Sequence, residues 1–247
     1  MRTPHPLMAK LERTIALTEA ERLSFNEVPV HVETLLAGEG PSWAGDRPSR
    51  SFVILEGLLS TSKTLRDGEV QITAFHIPGD MPDLLSLHLE VLDSDISALT
   101  NCTVAFMSHE RLRAFCERHP RMAAALWRAT LVDSAVFSEW VVNVAQRPAL
   151  SRLAHLLCEM MTRMEAMGLA QDRRCDLRLT QADLSEATGL SVVHVNRTLQ
   201  SLRSQGLISF GKGQLTVHDW DALARVGEFR ADYLHLREPT SYGRLAH

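Results

Sequence analysis

Four cysteines in 247 residues, Cys102, Cys116, Cys158 and Cys175, stand far apart, with no CxxC pair and no compact ligand grouping. Their spacing argues against a disulfide scaffold or a zinc ribbon and leaves reduced thiols as the default. No apolar run approaches the ~20 residues that span a bilayer. The opening MRTPHPLMAKLERTIALTEAERL is charged and helical rather than signal-like. A cytoplasmic protein with no membrane partner is expected. Excess positive charge is missing as well: the net charge is -4, so attraction to a polyanion must come from local clustering. GxSxG, HExxH, GxxxxGK and a complete GxGxxG are all absent. Asp80, Asp83, Asp93 and Asp95 are explained as turn and surface carboxylates, so catalysis is not expected.

What is present is a globular composition, 45% hydrophobic and 23% charged, and a length that suits one or two domains. From Leu7 to about Leu36, charged residues interleave with Leu, Ile and Ala at helical spacing, and LTEAER has the Thr-x-x-Glu form of a helix start. One or two short helices are predicted there. Between Ser51 and Met107 the texture changes to short β-rich runs separated by RDGE and PGDMPD turns. This predicts a small antiparallel barrel or jelly roll.

After SHERLRAFCERHP the chain runs from Arg121 to about Gln146 without glycine or proline, which predicts its longest helix. Leu126, Ala129, Val136, Trp140 and Val144 recur by threes and fours or their multiples, interrupted by Asp133. That stripe predicts a dimer seam against a partner helix, with packing on the barrel as the competing reading. A fresh helix then starts at Pro148, carrying Leu150, Leu153, Ala154, Leu157, Met160, Met161 and Met164 on one face. The predicted division is a barrel at 1–108, the long helix and hinge at 109–147, and a third unit at 148–247.

That third unit contains LTQADLSEATGLSVVHVNRTLQSLRSQGLI. Thr180 and Asp183 form a capping box for a helix over Gln181 to Thr188, and Gly189 ends it. Ser191 can cap a second helix whose inward face is Val195, Leu199 and Leu202. Two short helices joined by a tight turn make a helix-turn-helix. The outward row of the second helix is Val193, Asn196, Arg197 and Gln200, with His194 at its flank. No acid occurs between Ser191 and Ile208. Arginine matches guanine O6 and N7 bidentately, while asparagine and glutamine match adenine N6 and N7. The following LISFGKGQLTVHDW predicts a hairpin with Lys212 at its tip, placed to meet a phosphate. Double-stranded DNA is the partner these features fit.

Barrel, long helix and winged helix-turn-helix together resemble the Crp/Fnr superfamily, from about Leu11 to Leu234, carried by HIPGD, GLSVVHVNRTLQSLRSQGLI and GKGQLTVHD. The resemblance implies an α+β chain: an N-terminal cupin-like β jelly-roll sensor, a long dimerisation helix and a C-terminal winged helix-turn-helix. It implies a homodimeric transcriptional regulator on a near-palindromic operator, with RNA polymerase as a further partner for activation. By position Arg197 matches a base-reading arginine. Val193 replaces a common base-reading glutamate, and Asn196 and Gln200 flank it. Thr180, Ser191 and His194 match phosphate-facing positions, and Lys212 matches the wing lysine. Leu126, Ala129, Val136 and Trp140 fall in the dimerisation helix.

The effector region departs from the pattern. Where cyclic-nucleotide binders carry Gly-Glu-Leu-(Gly/Ala) and an Arg-Ser or Arg-Thr pair, this chain has Asp83-Leu84-Leu85-Ser86 and Leu92-Asp93. Leu84 cannot accept a ribose hydroxyl, and Asp83 and Asp93 would repel an anionic ligand. No response to cyclic AMP is expected. No cysteine precedes Cys102, which argues against an N-terminal iron-sulfur cluster. No cofactor is predicted. The competing readings are a haem or redox sensor using His76, His88 or a Cys102–Cys116 switch, and a protein-interaction module that does not bind DNA.

Overall fold

The computed structural model describes residues 5–13, 15–26 and 28–236. Helix α1 (Pro6–Glu12) leads to α2 (Glu19–Asn26). Thr18 and Glu21 cap α2 reciprocally: the Glu21 amide donates to Thr18 Oγ1 at 3.2 Å, and the Thr18 amide donates to Glu21 Oε2 at 2.7 Å. The helical texture ends sooner than the sequence predicts. His31–Leu35 is strand β1, drawn out of the helical pattern by antiparallel pairing with β6 (Cys102–Ser108), from His31↔Phe106 to Leu35↔Cys102.

Strands β2 (Arg50–Glu56), β3 (Leu59–Thr64), β4 (Val70–His76) and β5 (Asp95–Ala98) complete two three-stranded sheets. Their orders are β1-β6-β2 and β4-β3-β5. Alternate residues point between the sheets, so Leu35, Phe52, Ile54, Leu59, Ile96, Val104 and Phe106 form one buried cluster. Helix α3 (His109–Arg118) begins at Ser108, whose hydroxyl accepts from the Arg111 amide, and the 27-residue α4 (Pro120–Gln146) follows.

The faces of α4 correct the predicted seam. Leu126, Ala129, Val136 and Trp140 are buried in this single chain, Leu126 at 3% exposure. Leu126 and Ala129 pack into the N-terminal core with Met122 and Phe115, and Val136 and Trp140 join the core that contains Phe75 and Leu157. Asp133 interrupts the stripe because Lys10 lies across from it, Nζ to Oδ1 at 3.8 Å. A second stripe, offset by two residues and so by about 200° around the helix, faces outward. Ala124, Trp127, Leu131, Ser134, Ser138, Val141 and Ala145 are all exposed, Trp127 at 69% and Leu131 at 56%. Their steps alternate three and four, a strict heptad.

The third unit comprises α5 (Ala149–Ala166), β7 (Ala170–Gln171), β8 (Arg174–Asp176), α6 (Gln181–Thr188), α7 (Val192–Ser204), β9 (Ile208–Gly211), β10 (Gln214–Val217) and α8 (Trp220–Gly227). The four strands form one sheet in the order β7-β8-β10-β9. Helix α5 is its axis: Leu153, Leu157, Met160, Met161 and Met164 are buried with Leu184, Val195, Leu199, Leu202, Leu215 and Leu223. Gly227 lets α8 approach α5 closely, since a Cβ there would lie 2.7 Å from the His155 backbone nitrogen. Ile72, Phe75 and Ile77 belong to the same buried cluster, so this unit is seated on β4 of the barrel. Gln71 Nε2 donates to the Glu186 carbonyl of α6 across that junction at 2.6 Å.

A buried polar chain crosses the same junction. Arg163 of α5 donates to Glu159 Oε1 at 3.2 Å, to the Phe75 carbonyl at 2.9 Å and to Asp80 Oδ2 at 3.0 Å. Asp80, in the turn after β4, also holds Lys10 of α1 at 2.8 Å. Glu159 accepts from Trp140 Nε1 of α4 and from Tyr233 of the 231–234 turn, at 3.0 and 2.8 Å. Barrel, long helix and third unit therefore share one set of charges.

Candidate nucleic-acid interface

Local chemistry fixes α6 and α7. Thr180 Oγ1 accepts from the Asp183 amide at 3.1 Å, and Asp183 Oδ2 accepts from the Thr180 amide at 2.6 Å. Gly189 ends α6 at φ +65°, a conformation that a Cβ makes costly. Ser191 Oγ accepts from the His194 amide and starts α7. Arg152 of α5 donates to the Thr188 carbonyl at 2.7 Å and so ties the inter-helix turn to the domain axis. The buried residues of α7 are Val195, Thr198, Leu199 and Leu202, and the core holds that face in place.

The opposite face is open. Val193 is 71% exposed, and His194, Arg197 and Gln200 are exposed beside it. Many surface cations elsewhere are matched, as in Lys63–Asp93, Arg50–Glu33 and Arg47–Glu90. Arg197 and Lys212 have no ion-pair partner among the described residues. Asn196 is half-buried, and its Nδ2 donates to Gln181 Oε1 of α6 at 3.1 Å. Thr180 and Ser191 are exposed helix caps; each uses its oxygen as an acceptor and keeps its hydroxyl hydrogen to donate.

The hairpin turn has two residues. Gly211 pairs with Gln214, leaving Lys212 and Gly213 at φ +53° and +78°, as a type I′ turn requires. Arg203 of α7 donates to the Phe210 carbonyl, which holds β9 against the helix. Hairpin and helix thus form one rigid surface with Lys212 exposed at its tip.

Residues 151–226 match the family model of the Crp-like helix-turn-helix domain, and residues 32–119 match the cyclic nucleotide-binding domain. Transcriptional activator protein Anr of Pseudomonas aeruginosa is 27% identical over 203 residues, covering 82% of each chain. FnrL of Cereibacter sphaeroides is 23% identical over 84% of this chain and 85% of its own. The solved structure of FixK2 from Bradyrhizobium japonicum superposes with a TM-score of 0.73 at 22% identity, over 80% of this chain and 97% of that one. The chain belongs to the Crp/Fnr superfamily.

In this member the segment that follows the PGD turn is rich in leucine. Leu84 is buried in the N-terminal core, Leu92 is buried, and exposed Asp93 is paired with Lys63 at 2.9 Å. Asp83 is fully buried beside them. Burial pushes its carboxyl up to about 8, overcoming the amide of Phe52 that donates to Oδ1 at 3.1 Å. Oδ2 has no hydrogen-bond partner among the described residues. Arg113 reaches this segment, with Nη2 donating to the Leu87 carbonyl at 2.8 Å.

The sign of the Asp83 shift gives a test. An acid whose pKa is higher folded than unfolded favours the fold below its ordinary value of 3.8, and that contribution is lost as pH rises towards 8. Asp83→Asn is expected to match the parent in thermal unfolding near pH 4 and to exceed it increasingly up to pH 8. Parallel pH profiles would show that Asp83 is ionised in the folded chain.

His76 Nε2 lies 2.7 Å from Thr61 Oγ1, and burial pushes the ring down to about 4, outweighing Asp80. His88 is exposed after the 84–87 turn. Cys102 donates to the Leu58 and Thr100 carbonyls, and burial raises the pKa of Cys102 and Cys116 alike. Among the described residues no group of three or more His, Cys, Asp or Glu is arranged to hold a metal. No described helix is long and apolar enough to cross a membrane.

Proposed function

We propose that this chain is a homodimeric transcriptional regulator that reads a near-palindromic duplex site with two copies of α7. The observation that carries the reading is the acid-free exposed row of Val193, Arg197 and Gln200, with Arg197 unpaired among the described residues and the opposite helix face locked in the core. Arg197 takes guanine O6 and N7, and Val193 covers a thymine methyl. Thr180, Ser191 and His194 meet phosphates at the helix starts, and Lys212 meets one from the wing.

The outward heptad of α4 supplies the partner contact. It places the two α7 helices in successive major grooves about 34 Å apart. In this division residues 1–108 sense, 109–147 couple and 148–247 bind DNA, with Arg147 and Pro148 as the hinge. Buried Leu84 and Leu92, which offer no polar side-chain group to a ribose or a phosphate, are the reason that cyclic AMP is not assigned as effector. An activating role would add RNA polymerase as a partner.

Selection from a random duplex pool tests the reading. The parent is expected to recover a two-fold motif with half-sites one helical turn apart. Arg197→Ala should erase preference at one base pair per half-site, about 1–3 kcal/mol of discrimination. Lys212→Ala should weaken all sequences alike and lower the salt slope by about one phosphate. Equal recovery of every sequence by the parent protein would overturn the proposal.

A further inference from the structure

The hydrogen bond between α6 and α7 has a consequence for which base the helix reads. Asn196 carries two amide hydrogens and a carbonyl oxygen. One hydrogen is donated to Gln181 Oε1, 15 residues away on the other helix of the motif. What remains is a carbonyl oxygen beside one N–H, on a side chain that is half-buried and one position before Arg197.

We propose that Gln181 is a positioning residue that clamps Asn196, so that Asn196 selects adenine next to the base pair read by Arg197. This rests on the reading of α7 as a DNA-reading helix. The remaining acceptor and donor match adenine N6–H and N7 in a bidentate pair. Guanine would set its O6 acceptor against the Asn196 carbonyl. Thymine O4 would do the same, and cytosine offers its N4–H without an N7 acceptor beside it.

An unclamped asparagine could turn its amide over and present the reverse pattern. Here that turn would point the Asn196 oxygen at the Gln181 oxygen, unless Gln181 turned too. A phosphate prevents the double turn. Gln181 is the first residue of α6, next to Thr180, and its Nε2 has no hydrogen-bond partner among the described residues. A phosphate oxygen at that helix start can only accept, so it holds Nε2 outward and Oε1 towards Asn196. Docking on the backbone thereby sets the base preference of a residue that the phosphate never touches.

The test uses the full-length dimer, pool selection and thermal unfolding for Asn196→Ala, Gln181→Ala, Gln181→Glu and the Gln181→Ala/Asn196→Ala pair. Asn196→Ala is expected to lower adenine preference at one base pair about tenfold. Gln181→Ala should lower it at the same base pair by nearly as much, and the double variant should fall no further. Gln181→Glu keeps an acceptor for Asn196 and puts charge near a phosphate, so it should keep the adenine preference while weakening all sequences. Unfolding midpoints close to the parent's would show that these changes are not folding defects. The inference is overturned if Gln181→Ala changes only overall affinity or melting, or if Asn196→Ala alters no adenine position. Failure of the parent protein to select any sequence would instead strike the proposed function.

Discussion

Arg163→Leu is expected to lower the unfolding free energy by about 3–5 kcal/mol, the range for removing one partner of a buried ion pair. Arg163 makes three contacts, with Glu159, Asp80 and the Phe75 carbonyl, and its side chain is 15% exposed. Without it, Lys10 is left facing Asp80 and Asp133. Burial opposes ionisation of Asp80, yet Lys10, Arg163 and His76 outweigh it and hold that carboxyl down to about 2. Burial raises the Glu159 carboxyl even with Arg163, Tyr233 and Trp140 in contact. Loss of the guanidinium therefore removes a charge that opposes the rise of the Glu159 carboxyl and deletes the hydrogen bond to the Phe75 carbonyl. Arg163→Lys should recover little, because one ammonium on a flexible stem cannot reproduce the planar fork. Denaturant unfolding measures both variants, and a loss below about 1 kcal/mol for Arg163→Leu would mean that the charges are solvated rather than buried. The same chain joins barrel to third unit, so limited proteolysis near Arg147 should be faster in the variant.

The parts of this molecule that are legible in the sequence are those with local causes. Thr180, Asp183, Gly189 and Ser191 write the ends of α6 and α7 into four residues, and the core spacing of Val195, Leu199 and Leu202 fixes which side faces out. Strand β1 is less legible, because HVETL owes its state to β6, some 70 residues away. Strands β7 and β8 are two and three residues long, and their turn is Asp172-Arg173 at positive φ, without the Asn-Gly or Asp-Gly signal. Two features lie beyond pattern. The raised pKa of Asp83 comes from burial, and the Gln181–Asn196 bond joins side chains from two helices.

Helix α4 shows a different limit, since it carries two heptads on nearly opposite faces. The more apolar one, with Leu126, Val136 and Trp140, is buried against its own chain, and the one richer in alanine and serine is left outside. In the proposed dimer the seam lies on the less apolar face, where small residues between large anchors let a second α4 approach closely. Leu131→Glu distinguishes the faces. It sets a carboxylate at the centre of the outward heptad, opposite its own copy across a two-fold axis, while touching no buried contact of the monomer. Sedimentation is expected to give a monomer with parent-like helicity, and affinity for the selected duplex should fall about 10³-fold or more, towards the non-specific level, as one half-site is lost. Leu126→Glu buries a charge in the N-terminal core and should reduce stability before it changes assembly. A Leu131→Glu protein that stays dimeric and binds its site unchanged would mean that another surface holds the two chains together. The spacing of the two α7 helices would then have to be set from there.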